Sequence, residues 1–390
     1  VSLRFLTSGE SHGPGLTGII EGIPAGLALC SEDINGELKR RQKGYGRGGR
    51  MKIESDRVEI FSGVRWGATT GSPLTLRIDN KDWQNWEKGM SLDKNDEGSI
   101  QAVIRPRPGH ADLAGALKYN HHDIRNILER SSARETAMRV ALGAVAKKLL
   151  SEFSISIWSF VAQIGHIKVE KPAYYDIKKL SQEAEASEVR CFDKETTEKM
   201  KALIDQAKEK GDSLGGVFEV QATGVPPGLG SHIQWDRRLD GQLAQALMSI
   251  QAMKGVEIGE GFTMAGLFGS SAMDEISYNK DTFPHFLRTT NNAGGIEGGI
   301  TNGMPVVARV AMKPIPTLRT PLRSVNIITK EPYEAAYERS DTCAVPAASV
   351  IGEAMTALVL ARAFVDKFGC DSINEVRQNY KSYCNYLKEF

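Results

Sequence analysis

GVRWGATTGSPLTLRI at 63–78 returns 232 residues later as GIEGGITNGMPVVARV at 295–310. Gly63, Gly67, Thr69, Gly71, Pro73 and Arg77 fall on Gly295, Gly299, Thr301, Gly303, Pro305 and Arg309. Two more echoes flank this pair in the same order. GIPAGL at 22–27 matches GVPPGL at 224–229, and Glu129-Arg130-Ser131 matches Glu338-Arg339-Ser340. The offsets are 202, 232 and 209 residues, a spread that loop insertions supply, so the chain reads as two related halves, about 1–150 and 212–365. A variable segment, 168–211, rich in Glu and Lys, joins them, and a tail, 366–390, follows. An insertion without chemistry is one reading of that segment.

Strands are predicted over 57–61, 74–78, 217–222 and 306–312. One helix is predicted from Ala133 to Phe153, with Ala137, Val140, Ala141, Ala144, Val145 and Leu149 on one face. Another runs from Pro346 and carries Val350, Ile351, Ala354, Leu358, Ala361 and Val365. Helices are also expected over 239–253 and, at the surface, 196–210. Faces rich in Ala, with Gly143 and Gly352 among them, imply close helix packing. Paired strands around such helices predict an α+β fold with helices covered by antiparallel sheets, rather than a doubly wound parallel sheet.

With 49 Lys+Arg against 48 Asp+Glu, 25% charged and 41% apolar residues, the chain is neither a disordered tail protein nor a polybasic nucleic-acid coat. Cys30, Cys191, Cys343, Cys370 and Cys384 are odd in number and lack C-x-x-C spacing, so a reducing cytoplasm is expected. VSLRFL at the N-terminus has no apolar core that would suggest a signal peptide. The most apolar stretch, 344–365, contains Glu353 and Arg362, and no membrane span is expected there.

Several stretches carry side chains suited to chemistry. In GESHGPG at 9–15, His12 has no bulky neighbours to bury it and can move protons near neutral pH, although an exposed turn histidine fits too. KRRQKGYGRGGR at 39–50 holds six Lys or Arg and no acid. Its glycines let it close over an anion that guanidinium groups grip bidentately. An RNA-binding module using this Arg/Gly loop is the rival reading, against which the near-zero net charge favours a trap for a small polyanion.

RPRPGHAD at 105–112 places His110 beside two arginines in a proline-extended segment, a suitable proton donor at an anionic site. Ser132 and Asp341 suit helix caps, while Arg130 and Arg339 would stand at helix entrances that favour anions. Asp341 takes the place of Ser132, so one half could bind while the other supplies a carboxylate base. The glycine-rich 291–303 leads to KPIPT at 313–317 and fits neither a P-loop nor a Rossmann fingerprint. His121-His122-Asp123 could suggest a metal, but two hydrated surface histidines are the favoured reading and no metal site is predicted.

Taken together, GESHGP at 9–14, RRQKGYGRGGRM at 40–51, RPGHAD at 107–112, ERSSARETA at 129–137, NNAGGIEGGITNG at 291–303, KPIPT at 313–317 and RSDTCAVPA at 339–347 resemble the chorismate synthase family over nearly the whole chain. The resemblance implies a β-α-β sandwich with central helices between two antiparallel sheets, usually a homotetramer. It implies anti 1,4-elimination of phosphate from 5-enolpyruvylshikimate 3-phosphate to give chorismate, with reduced FMN required and no net redox change. His12 matches the family's acid toward the leaving phosphate, His110 the residue that protonates or stabilises reduced flavin, and Asp341 the carboxylate that assists loss of the C6 proton. Arg41, Arg50, Arg107, Arg134 and Arg339 are the expected substrate clamps. FMN is expected at Arg130, Ser131, Ser132, Gln251, Ala252, Gly298, Lys313, Pro314, Ile315, Pro316, Thr317 and Arg339. Arg41 and Arg47 match family positions for a nicotinamide dinucleotide phosphate. Because no added reductase domain is visible, NADPH is expected to act only indirectly, through a separate flavin reductase.

Overall fold

Strands β1 (Arg4–Ser8), β2 (Gly15–Glu21), β3 (Glu59–Ser62) and β4 (Leu74–Asp79) form an antiparallel sheet in the order β1-β2-β4-β3. A second antiparallel sheet is built from β5 (Ser156–Ile164), β6 (Gly216–Thr223), β7 (Met253–Ile258) and β8 (Val306–Met312). Its order, β5-β6-β8-β7, repeats the first connectivity, and a short strand, Ile167–Lys168, extends the β5 edge. The structure is a computed structural model and describes residues 3–48, 55–172, 176–336 and 340–390.

Period-two alternation fixes which face of each sheet is covered. Leu74, Leu76 and Ile78 of β4 and Leu16 and Ile20 of β2 are buried, while Ile19 is exposed. Against the covered faces lie α1 (Ser31–Gln42), α2 (Thr136–Ser151), α3 (Leu239–Met248) and α4 (Val345–Phe368), which gives a sandwich of two sheets around central helices. A Cβ on Gly143 would stand 2.4 Å from the Cβ of Ala354, so α2 and α4 meet where only glycine fits. The last helix, α5 (Ile373–Glu389), packs Tyr380 and Tyr383 against Phe368 of α4.

The repeated sequence carries a repeated latch. Thr69 donates its hydroxyl to the Pro24 carbonyl at 2.6 Å and accepts from the Leu27 N–H at 2.9 Å. Thr301 makes the same pair, to the Pro226 carbonyl at 2.7 Å and from the Leu229 N–H at 2.8 Å. Both threonines are buried. Each therefore joins the proline-glycine turn of its half to the short hairpin that the glycine spacing forms.

By length and composition α4 could cross a membrane, yet it lies buried inside the sandwich. Glu353, near its middle, is fully buried and accepts hydrogen bonds from Arg40 at 2.7 and 2.9 Å, Lys147 at 2.7 Å, Arg190 at 3.0 Å and Ser159 at 2.6 Å. Burial alone would raise its pKa, but Lys147, Arg40 and Arg190 outweigh that and hold it well below the usual carboxylate range.

Two helix expectations are corrected. The helix predicted over 239–253 stops at Met248 with Ser249 as its cap, and the turn that follows, with Ala252 at a φ of 70°, leads into Met253 of β7. The surface helix is Lys194–Glu209, and its Met200, Ile204 and Ala207 are buried against the body.

Candidate active site

The loop between β1 and β2 presents His12, and Glu129 of the short helix Arg125–Ser131 holds it. One carboxylate oxygen accepts the His12 backbone N–H at 2.8 Å and the other meets ring Nδ1 at 2.8 Å. Burial pushes the Glu129 pKa up, but His12 and Arg125 overcome this, and the net shift is downward. An ionised carboxylate only accepts, so Nδ1 carries its hydrogen toward Glu129 and Nε2 is left for a ligand. Trp86 covers the imidazole, with ring centroids 4.1 Å apart.

Asn80 fixes the rest of this loop by donating to the carbonyls of Glu10 at 3.1 Å and Gly13 at 2.7 Å. The oxygen of the same amide accepts from Arg134 at 2.9 Å. Arg134 also reaches Asp56 at 2.6 Å, and Arg41 lies 3.5 Å from the other oxygen of that carboxylate. Arg41 is further held by Thr136 and by the Ala133 carbonyl. Its pKa falls to about 10, chiefly through burial, which attraction to Asp56 opposes and repulsion from Arg47 and Arg134 reinforces. Three buried or half-buried arginines thus crowd one place, an arrangement that an added anion would relieve.

His110 belongs to a second group. Its Nδ1 donates to Asp112 at 2.5 Å. Arg107 grips the same carboxylate through Nε at 2.8 Å and Nη2 at 3.0 Å and donates to Thr317 at 3.0 Å. Buried Asp112 is held well below the usual carboxylate range because hydrogen bonds from His110 and Arg107 overcome its desolvation. Arg107, expected as a clamp, has its guanidinium engaged within the protein.

The remaining expected residues fall beside these groups. Arg130 donates to the carbonyls of Gly9 and Thr7 and stands near the C-terminus of its short helix rather than at an entrance. Ser131 bonds back to Ile127, and Ser132 donates to Ser11 while accepting from Arg134 N–H. Asp341 does not cap α4, which starts at Val345; it accepts from Gly48 N–H at 2.6 Å and pairs with Arg47 at 3.1 Å. Ser340 donates to the Thr317 carbonyl, which ties this pair to the His110 group. Gly298 sits in the hairpin 296–301 with open space where a side chain would be. Arg50 and Arg339 lie outside the described residues.

The geometry bears on both the flavin and the RNA readings. Gln251 donates to Glu135 at 3.1 Å, while its buried Oε1 has no hydrogen-bond partner among the described residues. Next to it the Ala252 carbonyl accepts from Lys313 N–H at 3.0 Å. The Lys313 ammonium, its pKa lowered by burial and then by Lys254, pairs with no described carboxylate. A buried orphan acceptor and, on the adjoining segment, an ammonium without a described carboxylate partner fit a ring bearing N–H groups together with a phosphate. For RNA the fit is poor, because Arg41, Arg107 and Arg134 are buried rather than displayed along a surface.

Sequence reading sees the carboxylate two residues after His110 but gives neither Asp112 nor Glu129 a partner, and it misses Asn80, Asp56 and Trp86 altogether. The first two lie inside the motifs, and a carboxylate two residues from His110 was a usable signal. The two tryptophans of the polar stretch 81–88 were another.

These features define an α+β sandwich with two histidine–carboxylate pairs and a cluster of arginines at its candidate active site. A family profile described as Chorismate synthase matches residues 3–365. The chorismate synthase of Geotalea uraniireducens (strain Rf4) is 61% identical over 99% of this chain and 100% of its own length. That of Aquifex aeolicus (strain VF5) is 60% identical over 100% and 99%. A crystal structure of chorismate synthase is similar with a TM-score of 0.80 at 50% identity, covering 100% of this chain and 99% of that one. The chain belongs to the chorismate synthase family, and it is a lyase of aromatic amino-acid biosynthesis.

Proposed function

We propose that this chain eliminates phosphate from 5-enolpyruvylshikimate 3-phosphate to give chorismate, with reduced FMN required. The observation that carries the reading is the crowding of Arg41, Arg47 and Arg134, three guanidinium groups gathered around Asp56 and Asp341, where a trianionic substrate would meet concentrated positive charge. The substrate loses the C6 proton and its carbon–oxygen bond to phosphate, and two electrons stay in the new diene, so no net redox change occurs. Reduced flavin, when bound, supplies electron density to a carbon centre that no carbonyl activates.

Each residue then has a task. His12, oriented by Glu129 and covered by Trp86, gives its proton or a hydrogen bond to the departing phosphate. Arg41 and Arg134 hold the anion in place without reorganising, since Asp56, Thr136 and Asn80 already fix them. Gln251, Ala252 and the run Lys313–Thr317 would hold the flavin, together with Arg130 to Ser132 and Gly298, and His110 would present a proton to it. Asp341 assists loss of the C6 proton from its place beside Arg47. A homotetramer in the cytoplasm, with flavin reduced by a separate protein, completes the proposal; the five free cysteines suit a reducing compartment.

Anaerobic incubation of the protein with the phosphorylated substrate and chemically reduced FMN should release chorismate and inorganic phosphate together. Phosphate release without chorismate, or equal release with oxidised FMN, would refute the assignment.

A further inference from the structure

The arginine loop contains Gly44, Gly46 and Gly48, so by itself it has too much backbone freedom to hold Arg47 in one place. Hydrogen bonds from two other segments restrain it. At the end of the second half, Thr342 and Cys343 N–H donate to the Gly46 carbonyl at 2.8 and 3.4 Å, and Gly48 N–H donates to Asp341 at 2.6 Å. The joining segment adds more. Tyr45 N–H donates to the Glu188 carbonyl at 2.9 Å, and the Tyr45 hydroxyl donates to Asp205, whose two oxygens stand 3.0 and 2.9 Å away.

The helix Lys194–Glu209 supplies more than one bond. Lys201 pairs with Glu188 at 2.7 Å and stands 5.2 Å from the centre of the Tyr45 ring, a cation–π contact that braces the same tyrosine. Ile204, one turn along, is buried so close to Gly46 that a Cβ there would stand 2.9 Å from its methyl group. A cavity of about 430 Å³ opens between this helix and the loop, with Ile204 and Asp205 on one side and Arg47, Thr317 and Asp341 on the other.

We propose that the helix Lys194–Glu209 is a positioning element for the arginine loop, and that Tyr45 and Asp205 are the positioning residues that latch Arg47 beside Asp341. This rests on the reading of Arg47 as part of the anion site. The joining segment is then more than an insertion, because it sets the shape of a wall of that site from about 160 residues away in sequence. Tyr45 and Asp205 touch neither substrate nor flavin in this scheme; they act through the loop.

The test uses the full-length protein as Tyr45→Phe, Asp205→Asn and the double variant. Backbone hydrogen exchange over 43–48 should speed up in all three, with melting temperatures close to that of the parent. KM for the phosphorylated substrate should rise about tenfold in each single variant, the effect of losing one hydrogen bond to a charged group, with kcat changed less. The double variant should match the singles, since both members of one pair are already lost. Asp205→Glu, which keeps the acceptor, should restore most of the KM. Unchanged exchange over 43–48, or effects of the two substitutions that add, would overturn the latch. Parental KM in the latch variants alongside a raised KM in Arg47→Lys would overturn it too, whereas parental KM in Arg47→Lys as well would remove the anion-site reading on which it rests.

Discussion

Glu129 holds His12 at two points, its backbone N–H at 2.8 Å and its ring Nδ1 at 2.8 Å, so one buried carboxylate sets both the loop and the tautomer. If Nε2 serves the leaving phosphate, His12→Ala should lower turnover by roughly 10²–10⁴-fold while flavin binding stays largely intact. Glu129→Gln should cause a smaller loss in the same direction. Stopped-flow turnover and flavin absorbance titration separate the two effects, and a variant without His12 that turns over normally would end the assignment.

A pH effect follows from the depressed carboxylates. Asp112 and Glu129 both have folded-state values below their unfolded ones, so the stability they contribute is fully present above the ordinary carboxylate range and is lost as pH falls through the folded values. Thermal melts of the parent should therefore lose stability steeply as pH is lowered below about 4. Asp112→Asn should start lower at neutral pH and fall less on acidification, because the linked proton uptake is gone. Equal slopes in parent and variant would show that Asp112 is not held ionised by Arg107 and His110.

What the sequence discloses depends on the range of the interaction. Thr69 and Thr301 are visible because their glycine spacing is local and repeated, and His12 and His110 because glycine and proline bare them. Asn80, Asp56 and Trp86 carry no period and no motif; each has its role only once chain 50 or more residues away is folded against it, as when Asn80 meets Arg134. The helix over 239–253 reads too long for the opposite reason: apolar spacing continues to Ile250 and Met253, whereas the chain leaves the helix at Met248 for a turn whose Ala252 carbonyl meets Lys313 from a distant strand end. Family likeness located Gln251 and Lys313, but their unmet acceptor and cation appear only in the structure.

Glu353 offers a test of how the halves are fastened. It gathers Arg40 of α1, Lys147 of α2 and Arg190 of the joining segment around one fully buried carboxylate on α4. Glu353→Ala leaves these cations to Glu37 and Glu185 among the described carboxylates, and it should cost about 3–5 kcal/mol, the scale for breaking a buried pair from one side. Urea denaturation would report it. A loss below about 1 kcal/mol would show that water reaches the cluster and screens it as it does surface pairs.

The paired threonines allow the two halves to be compared directly. Thr69→Val and Thr301→Val each keep the shape of the side chain and remove a hydroxyl that serves one buried carbonyl and one buried N–H. Leaving such groups unmet costs about 1–3 kcal/mol, so each variant should be destabilised by that amount in chemical denaturation. The two latches lie in separate turns with no shared partner, and the double variant should therefore show the sum of the singles. Summed losses in one cooperative transition would mean that both halves unfold together, as expected if α2 and α4, meeting at Gly143 and Ala354, give the sandwich a common core. Two separate transitions, one moved by Thr69→Val and the other by Thr301→Val, would instead show that each half keeps its own stability and that the contact between the central helices is too weak to couple them.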